Sequence, residues 1–173
     1  KLLAWVSMER NGYEADKRRL FVMDMSDRSK KELSGDFKYN VEAITWAPES
    51  DKIYFTSCVN ALTAIFEVDV NKDCSAIYKP RANEPTDETH YGNGVRRITA
   101  DDQWFDFDGV QIAADKLITT NKCLLRPAEI VAVNIADGAW EQLTFENKET
   151  LDKLKTPTIE QRWMTTVDGK KMH

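Results

Sequence analysis

The chain has 173 residues, of which 42% are hydrophobic and 31% charged, with five Trp, five Tyr and seven Phe. That composition folds around a core and excludes an intrinsically disordered chain. A net charge of −5 argues against nucleic acid as a partner, and no apolar run of ~18 residues is present to span a membrane as a helix.

The first predicted strand is Leu2–Met8, followed by a polar turn region around Asn11-Gly12. Arg19–Met25 is the next strand, and Lys31–Leu33 begins a short outer one that ends near Ser34-Gly35-Asp36. Val41–Ala47 then reads as an inner strand carrying Ile44 and Trp46. Pro48 to Lys52 is a turn, because Pro ends a ladder and Ser and Asp favour a reversal. Ile53–Ser57 and Ala64–Val70 follow as strands. The fourth strand of this unit is either Ser75–Tyr78 or Val95–Thr99, on either side of an irregular Pro- and Gly-containing insertion at 80–94. That insertion reads as a mobile surface excursion.

A further unit comprises Trp104–Phe107, Val110–Ala113, Lys116–Thr120, Glu129–Ile135 and Glu141–Phe145, with Asp137-Gly138 as a hairpin signal. Glu146–Leu154 carries a helical pattern, with Asn147 placed to cap it. Ile159–Val167 returns to β pattern, and Asp168-Gly169 marks another hairpin before the chain ends at His173.

An apolar-acidic strand signature recurs along this path. It reads Leu20-Phe21-Val22-Met23-Asp24-Met25, then Ile65-Phe66-Glu67-Val68-Asp69-Val70, then Ile130-Val131-Ala132-Val133-Asn134-Ile135. Each copy has the alternation of a half-buried strand. The first two copies are 45 residues apart, and the next step is longer by the 80–94 insertion. A period of roughly 40–50 residues with several short strands per repeat is the signature of a β-propeller. The expected fold is therefore all-β: a partial propeller of antiparallel four-stranded blades, about three in number, the first lacking its inner strand. The blades fall at about 1–36, 41–99 and 103–145, with 1–156 as propeller and 157–173 as a β segment leaving it. Blades need stacked neighbours, so the chain reads as a piece of a larger ring, cut at both ends.

Candidate chemistry is sparse. The two histidines are His90, in the insertion, and His173, the last residue. No Ser lies in a G-x-S-x-G elbow, and Ser34 belongs to a turn. The expected catalytic, cofactor-binding and metal-binding residues are therefore none, with no cofactor. Asp101, Asp102, Asp106 and Asp108 cluster, but Trp104 breaks the register of a calcium loop, so strand periodicity is the better reading. Cys58, Cys74 and Cys123 lack zinc spacing, and Cys58 is expected near the end of a buried strand. Trp46, Trp104 and Trp163 fall on predicted strands and read as packing between blades. The basic clusters Lys17-Arg18-Arg19 and Lys30-Lys31 read as solvated turns.

The run Val41–Ser57, with Trp46-Ala47-Pro48 ahead of Ile53-Tyr54-Phe55, resembles the blade motif of TolB-like and prolyl-oligopeptidase-type propellers. Leu125-Arg126-Pro127-Ala128-Glu129-Ile130, with Asp137-Gly138 and Gln142-Leu143-Thr144, is similar to the last blade in the dipeptidyl peptidase branch of that family. Glu160-Gln161-Arg162-Trp163 and Asp168-Gly169-Lys170-Lys171-Met172 resemble the junction with its α/β-hydrolase domain. Gly12–Asp16 and Arg19–Asp24 fit the bacterial pattern.

The resemblance implies a serine exopeptidase that releases dipeptides or similar short peptides from oligopeptide N-termini. Its catalytic triad would lie in a hydrolase domain after His173, which would be the partner of this segment in the same parent chain, and the parent would take oligopeptides as substrate. The segment itself would gate and wall the active site without catalysing. A homodimer is one assembly the resemblance allows, and a periplasmic or secreted location is implied, with the cytoplasm as alternative. The rival reading is a TolB-like propeller that binds proteins and has no enzymatic activity.

Overall fold

The structure, a computed structural model, describes residues 1–72, 91, 94–100, 104–160 and 162–172. Among them, β1 (Leu2–Ser7), β2 (Arg19–Asp24) and β3 (Lys30–Glu32) form a three-stranded antiparallel sheet in that order. A four-stranded sheet follows from β4 (Glu42–Trp46), β5 (Lys52–Val59), β6 (Leu62–Asp69) and β7 (Val95–Arg97). A second four-stranded sheet is built by β8 (Asp106–Ala113), β9 (Lys116–Cys123), β10 (Arg126–Asn134) and β11 (Trp140–Gln142). The four-residue helix α1 (Lys148–Leu151) and a two-residue hairpin of β12 (Met164–Thr165) and β13 (Lys171–Met172) complete the chain. Each large sheet is a simple meander, so the architecture is that of propeller blades. Of the two candidates for the fourth strand of the second blade, the structure uses β7; Ser75–Tyr78 lies outside the described residues, as does nearly all of the 80–94 insertion.

Two cores separate the three sheets. Leu20, Val22, Leu33, Phe37 and Val41 meet Ile53, Phe55, Ala64, Phe66 and Val68 in the first. Tyr54, Ile65 and Ile98 meet Phe107, Val110, Leu117, Val131 and Val133 in the second. The period-2 pleat explains this division: along β5 and β6, alternate residues point to opposite neighbours. The central blade is therefore buried on both faces, and Ala64–Val68 is a continuous buried run. This corrects the half-buried reading of its signature strand. The alternation holds in β2, where Leu20 and Val22 are buried and the residues between them are not. Phe37 is the keystone of the first core. Its ring contacts Phe55 edge-on at 5.4 Å and Phe66 at 5.4 Å, while Phe55 and Phe66 stack at 5.5 Å. Each ring contributes about 2–3 kcal/mol through burial alone.

Other sequence expectations shift in the same physical terms. Trp104–Phe107 and Val110–Ala113 are not separate strands; residues 106–113 form one strand bulged between Asp108 and Val110, with Gly109 at φ +64°. The helix is shorter than predicted, and Asn147 makes no side-chain cap; its amide donates to Glu129 instead. Trp46 is half-buried against the first core, as expected. Trp104 and Trp163 are 39% and 47% exposed and lie outside strands, so neither is a buried strand residue. Cys58 is exposed near the end of β5, although Tyr54 and Thr56, which share its face of the strand, are buried.

Candidate functional site

A groove lies where the first blade faces the second. It encloses about 410 Å³ and is lined by Val6, Ser7 and Met8 from the end of β1, by Arg18, and by Val41, Glu42, Ala43 and Ile44 at the start of β4. Its lining mixes apolar side chains with Ser7, Arg18 and Glu42. Arg18 and Glu42 form an exposed ion pair at the rim, 3.4 Å apart, and Arg18 is fixed through its backbone: its N–H donates to Asn40 Oδ1 at 2.9 Å and its carbonyl accepts from Val41 at 3.0 Å. β4 is bulged between Glu42 and Thr45, with Ala43 at φ +43°, where the strand lines the groove. Beyond the bulge Thr45 donates its hydroxyl to the Val110 carbonyl at 2.8 Å, tying the inner strands of adjacent blades together.

Charged groups elsewhere serve the joints between blades. Buried Glu67 accepts from Lys52 at 3.2 Å and from Arg96 at 3.0 Å. Arg96 in turn donates to the carbonyls of Ile135 at 2.7 Å and Ala136 at 3.4 Å in the next blade. Glu129 is buried, and among the described residues it forms no ion pair. It accepts from the Thr144 hydroxyl at 2.5 Å, the Asn147 amides at 3.2 Å and the Glu146 N–H at 3.4 Å. These bonds favour the carboxylate and hold its pKa below the ordinary glutamate value.

The basic clusters are more than solvated turns. Lys17 Nζ donates to the Phe37 carbonyl at 2.7 Å, and partial burial lowers its pKa. Lys31 reaches the carbonyls of Val70, at 3.3 Å, and Lys72 in the neighbouring blade. Sequence pattern missed these joints because a lysine beside acids reads as surface. Glu67 carried a signal, being a charge where the other two copies of the signature have Val22 and Ala132.

Among the described residues, those weighed for chemistry do not converge on a reaction centre. His90, His173, Asp101, Asp102 and Cys74 lie outside the described residues. Ser34 is buried, and its Oγ accepts the Leu20 N–H at 2.8 Å, a structural bond. Asp106 accepts the Thr63 N–H at 2.8 Å, again joining two blades, and Asp108 is exposed on β8. Burial, then the carboxylates of Asp106 and Glu42, push the Cys58 thiol up, which disfavours a reactive thiolate. Among the described residues no group of three His, Cys, Asp or Glu could hold a metal ion, and no helix is long and apolar enough to cross a membrane. What the described residues offer is a groove lined by the ends of two strands.

Comparison with known proteins places this geometry. No protein-family model matches the chain. It is 33% identical over 172 residues to dipeptidyl-peptidase 5 of Porphyromonas gingivalis and 31% identical to dipeptidyl-peptidase 5 of Porphyromonas endodontalis. Each alignment takes in 99% of this chain, which spans 22% of the length of those relatives. Among solved structures, a variant of the AtxE2 isopeptidase superposes at a TM-score of 0.68 with 14% identity, over 98% of this chain and 23% of the other. TolB from Acinetobacter baumannii superposes at 0.54 with 16% identity, over 83% and 30%, and the tricorn protease at 0.52 with 10% identity, over 82% and 17%. The chain is a run of β-propeller blades, similar along nearly its whole length to one segment of dipeptidyl-peptidase 5.

Proposed function

We propose that the chain is a non-catalytic propeller segment of a dipeptidyl peptidase of the prolyl oligopeptidase family. The observation that carries this reading is the 33% identity to dipeptidyl-peptidase 5, sustained over 99% of the chain. In the parent, an α/β-hydrolase domain of the same polypeptide supplies the serine nucleophile and its partners, and the propeller walls the chamber above them. A wall of stacked blades admits an extended oligopeptide and excludes a folded protein. It also limits how a bound peptide can turn, which lowers the entropic cost of reaching the reactive geometry. The closely tied blades suit that role: Thr45, Arg96, Lys31 and Asp106 each bond across a joint between sheets. A periplasmic or secreted parent fits the same reading.

The test uses the longer natural protein. It is treated with a fluorophosphonate, which reacts with activated serines, and the labelled peptide is mapped. This reading expects one labelled serine outside the 173 residues and none within them. A longer protein that resists the label would instead leave a TolB-like binding module.

A further inference from the structure

The third blade ends in a polar cluster built on one carboxylate. Glu129, on β10, is 3% exposed, and both of its oxygens accept hydrogen bonds. Oε2 takes the Thr144 hydroxyl and, at 3.4 Å, the Glu146 N–H. Oε1 takes two bonds from Asn147, one from the backbone N–H and one from the side-chain amide, both at 3.2 Å. Every one of these donors lies in residues 144–147, directly after β11. A carboxylate is buried favourably only while hydrogen bonds replace its water. The charge and the segment therefore hold each other in place.

One side of this cluster is rooted in the blade. The Thr144 hydroxyl also accepts the Ile130 N–H at 2.9 Å, and the Thr144 carbonyl accepts from the Gln142 amide at 2.7 Å. Gln142 Oε1 accepts from Arg126 at 2.6 Å; Arg126 also donates to buried Asn121 and lies over the Phe105 ring at 5.3 Å. The network thus reaches β9, β10, β11 and the approach to β8. The other side is the exit of the chain, where burial stops. No residue of α1 is buried, and β12 and β13 are exposed throughout. α1 hangs on Asn147, whose carbonyl accepts the Leu151 N–H at 2.9 Å. The ion pairs Lys148–Asp152 and Lys153–Glu149 close within residues 148–153. A segment that buries so little surface takes its direction from the point that anchors it.

We propose that Glu129 is a conformational clasp: it fixes the direction in which the chain leaves the third blade, and residues 145–147 are the hinge about which 148–172 swings when the clasp opens. In the closed arrangement Asn147 sits on Oε1 and carries α1 with it. In the open arrangement water replaces the Asn147 and Glu146 donors, and the arm turns independently. The blade keeps its shape in both, because the register of Glu129 with Asn121 and the pairing of β10 with β11 are backbone features. The Asn147 side chain makes no cap bond to α1, so its amide serves the clasp and not the helix. The proposal needs no peptidase activity and holds equally for a binding module.

Double electron–electron resonance on the 173-residue chain tests it, with spin labels on ketone-bearing residues so that the cysteines stay unmodified. One label pair, at Lys122 and Thr165, spans blade and arm. The control pair, at Glu49 and Lys122, lies on the blades alone, and all three positions are exposed. The unaltered chain should give one narrow blade-to-arm distance. Asn147→Ala removes the amide from Oε1, and Glu129→Gln replaces one acceptor oxygen by a donor. Each should broaden the blade-to-arm distribution by about twofold or more and leave the control distance unchanged. An unchanged width in either variant, or a distribution already broad in the unaltered chain, overturns the proposal. Equal broadening of both pairs also overturns it, because Glu129 would then support the blades and not the exit. No readout depends on fluorophosphonate labelling, so failure here and failure of the peptidase reading are separable.

Discussion

Gly138 sits where the turn after β10 presses on the preceding blade. Its φ is +74°, and its N–H donates to the Asn134 carbonyl at 2.9 Å. A Cβ placed there would overlap the Ile98 carbonyl oxygen, 3.0 Å from its carbon and 3.6 Å from the Thr99 Cα. Both obstacles are backbone, and Ile98 is itself held by an N–H bond to the Ile65 carbonyl at 2.8 Å. Gly138→Ala therefore combines two costs: a left-handed conformation, about 1–2 kcal/mol, and a displaced joint between blades, about 1–3 kcal/mol more by analogy with overpacked cores. Gly109→Ala is the control, in the same sheet, with φ +64° and nothing within 4 Å of the added carbon. The entropy effect on the unfolded chain is common to both and cancels in the comparison. Urea unfolding of the 173-residue chain should show Gly138→Ala less stable than Gly109→Ala by about 1–3 kcal/mol. Each kcal/mol corresponds to roughly 2–4 °C of Tm at this size. Equal losses would refute the claim that this turn bears on Ile98.

Further outcomes follow from the cores and joints. Phe66→Ala removes a ring packed on Phe37, Phe55 and Tyr91, and should cost about 3–5 kcal/mol in the same urea assay. Arg96→Ala deprives buried Glu67 of one partner and frees the turn at Ile135; with the guanidinium part-exposed, about 1–2 kcal/mol is expected, and a double-mutant cycle with Gly138→Ala should show coupling. Glu129 carries the pH signature. Its pKa is lowered on folding, so its contribution is full above the ordinary glutamate value and is lost as pH falls through the lowered one. Glu129→Gln should reduce stability at neutral pH and flatten the acid limb of the stability curve; an unchanged limb would count against the Thr144 and Asn147 bonds.

The blade count was legible because the signature Leu20–Met25, Ile65–Val70 and Ile130–Ile135 marks the same strand of each repeat, and backbone period alone carries that information. What sequence left open was set by tertiary contact. β6 looks like an alternating strand, yet neighbours on both sides bury it. Trp104 and Trp163 look like core residues, but a large aromatic near a strand end has no partner fixed by its own segment. Lys31 and Arg96 read as surface charge, since carbonyl acceptors contributed by another blade leave no trace in local spacing. The groove was equally invisible: Val6 and Ala43 are ordinary strand residues that only the packing of two sheets brings together.

On the function proposed above, these blades wall a dipeptidyl peptidase without doing its chemistry. The direct measurement is dipeptide release, by mass spectrometry, from a short unstructured oligopeptide and from the same sequence displayed on a folded protein. The longer natural protein should release dipeptides from the short peptide and not from the folded one, while the 173-residue chain releases none from either. Release by the 173-residue chain itself, or equal cleavage of both substrates by the longer protein, would contradict the account.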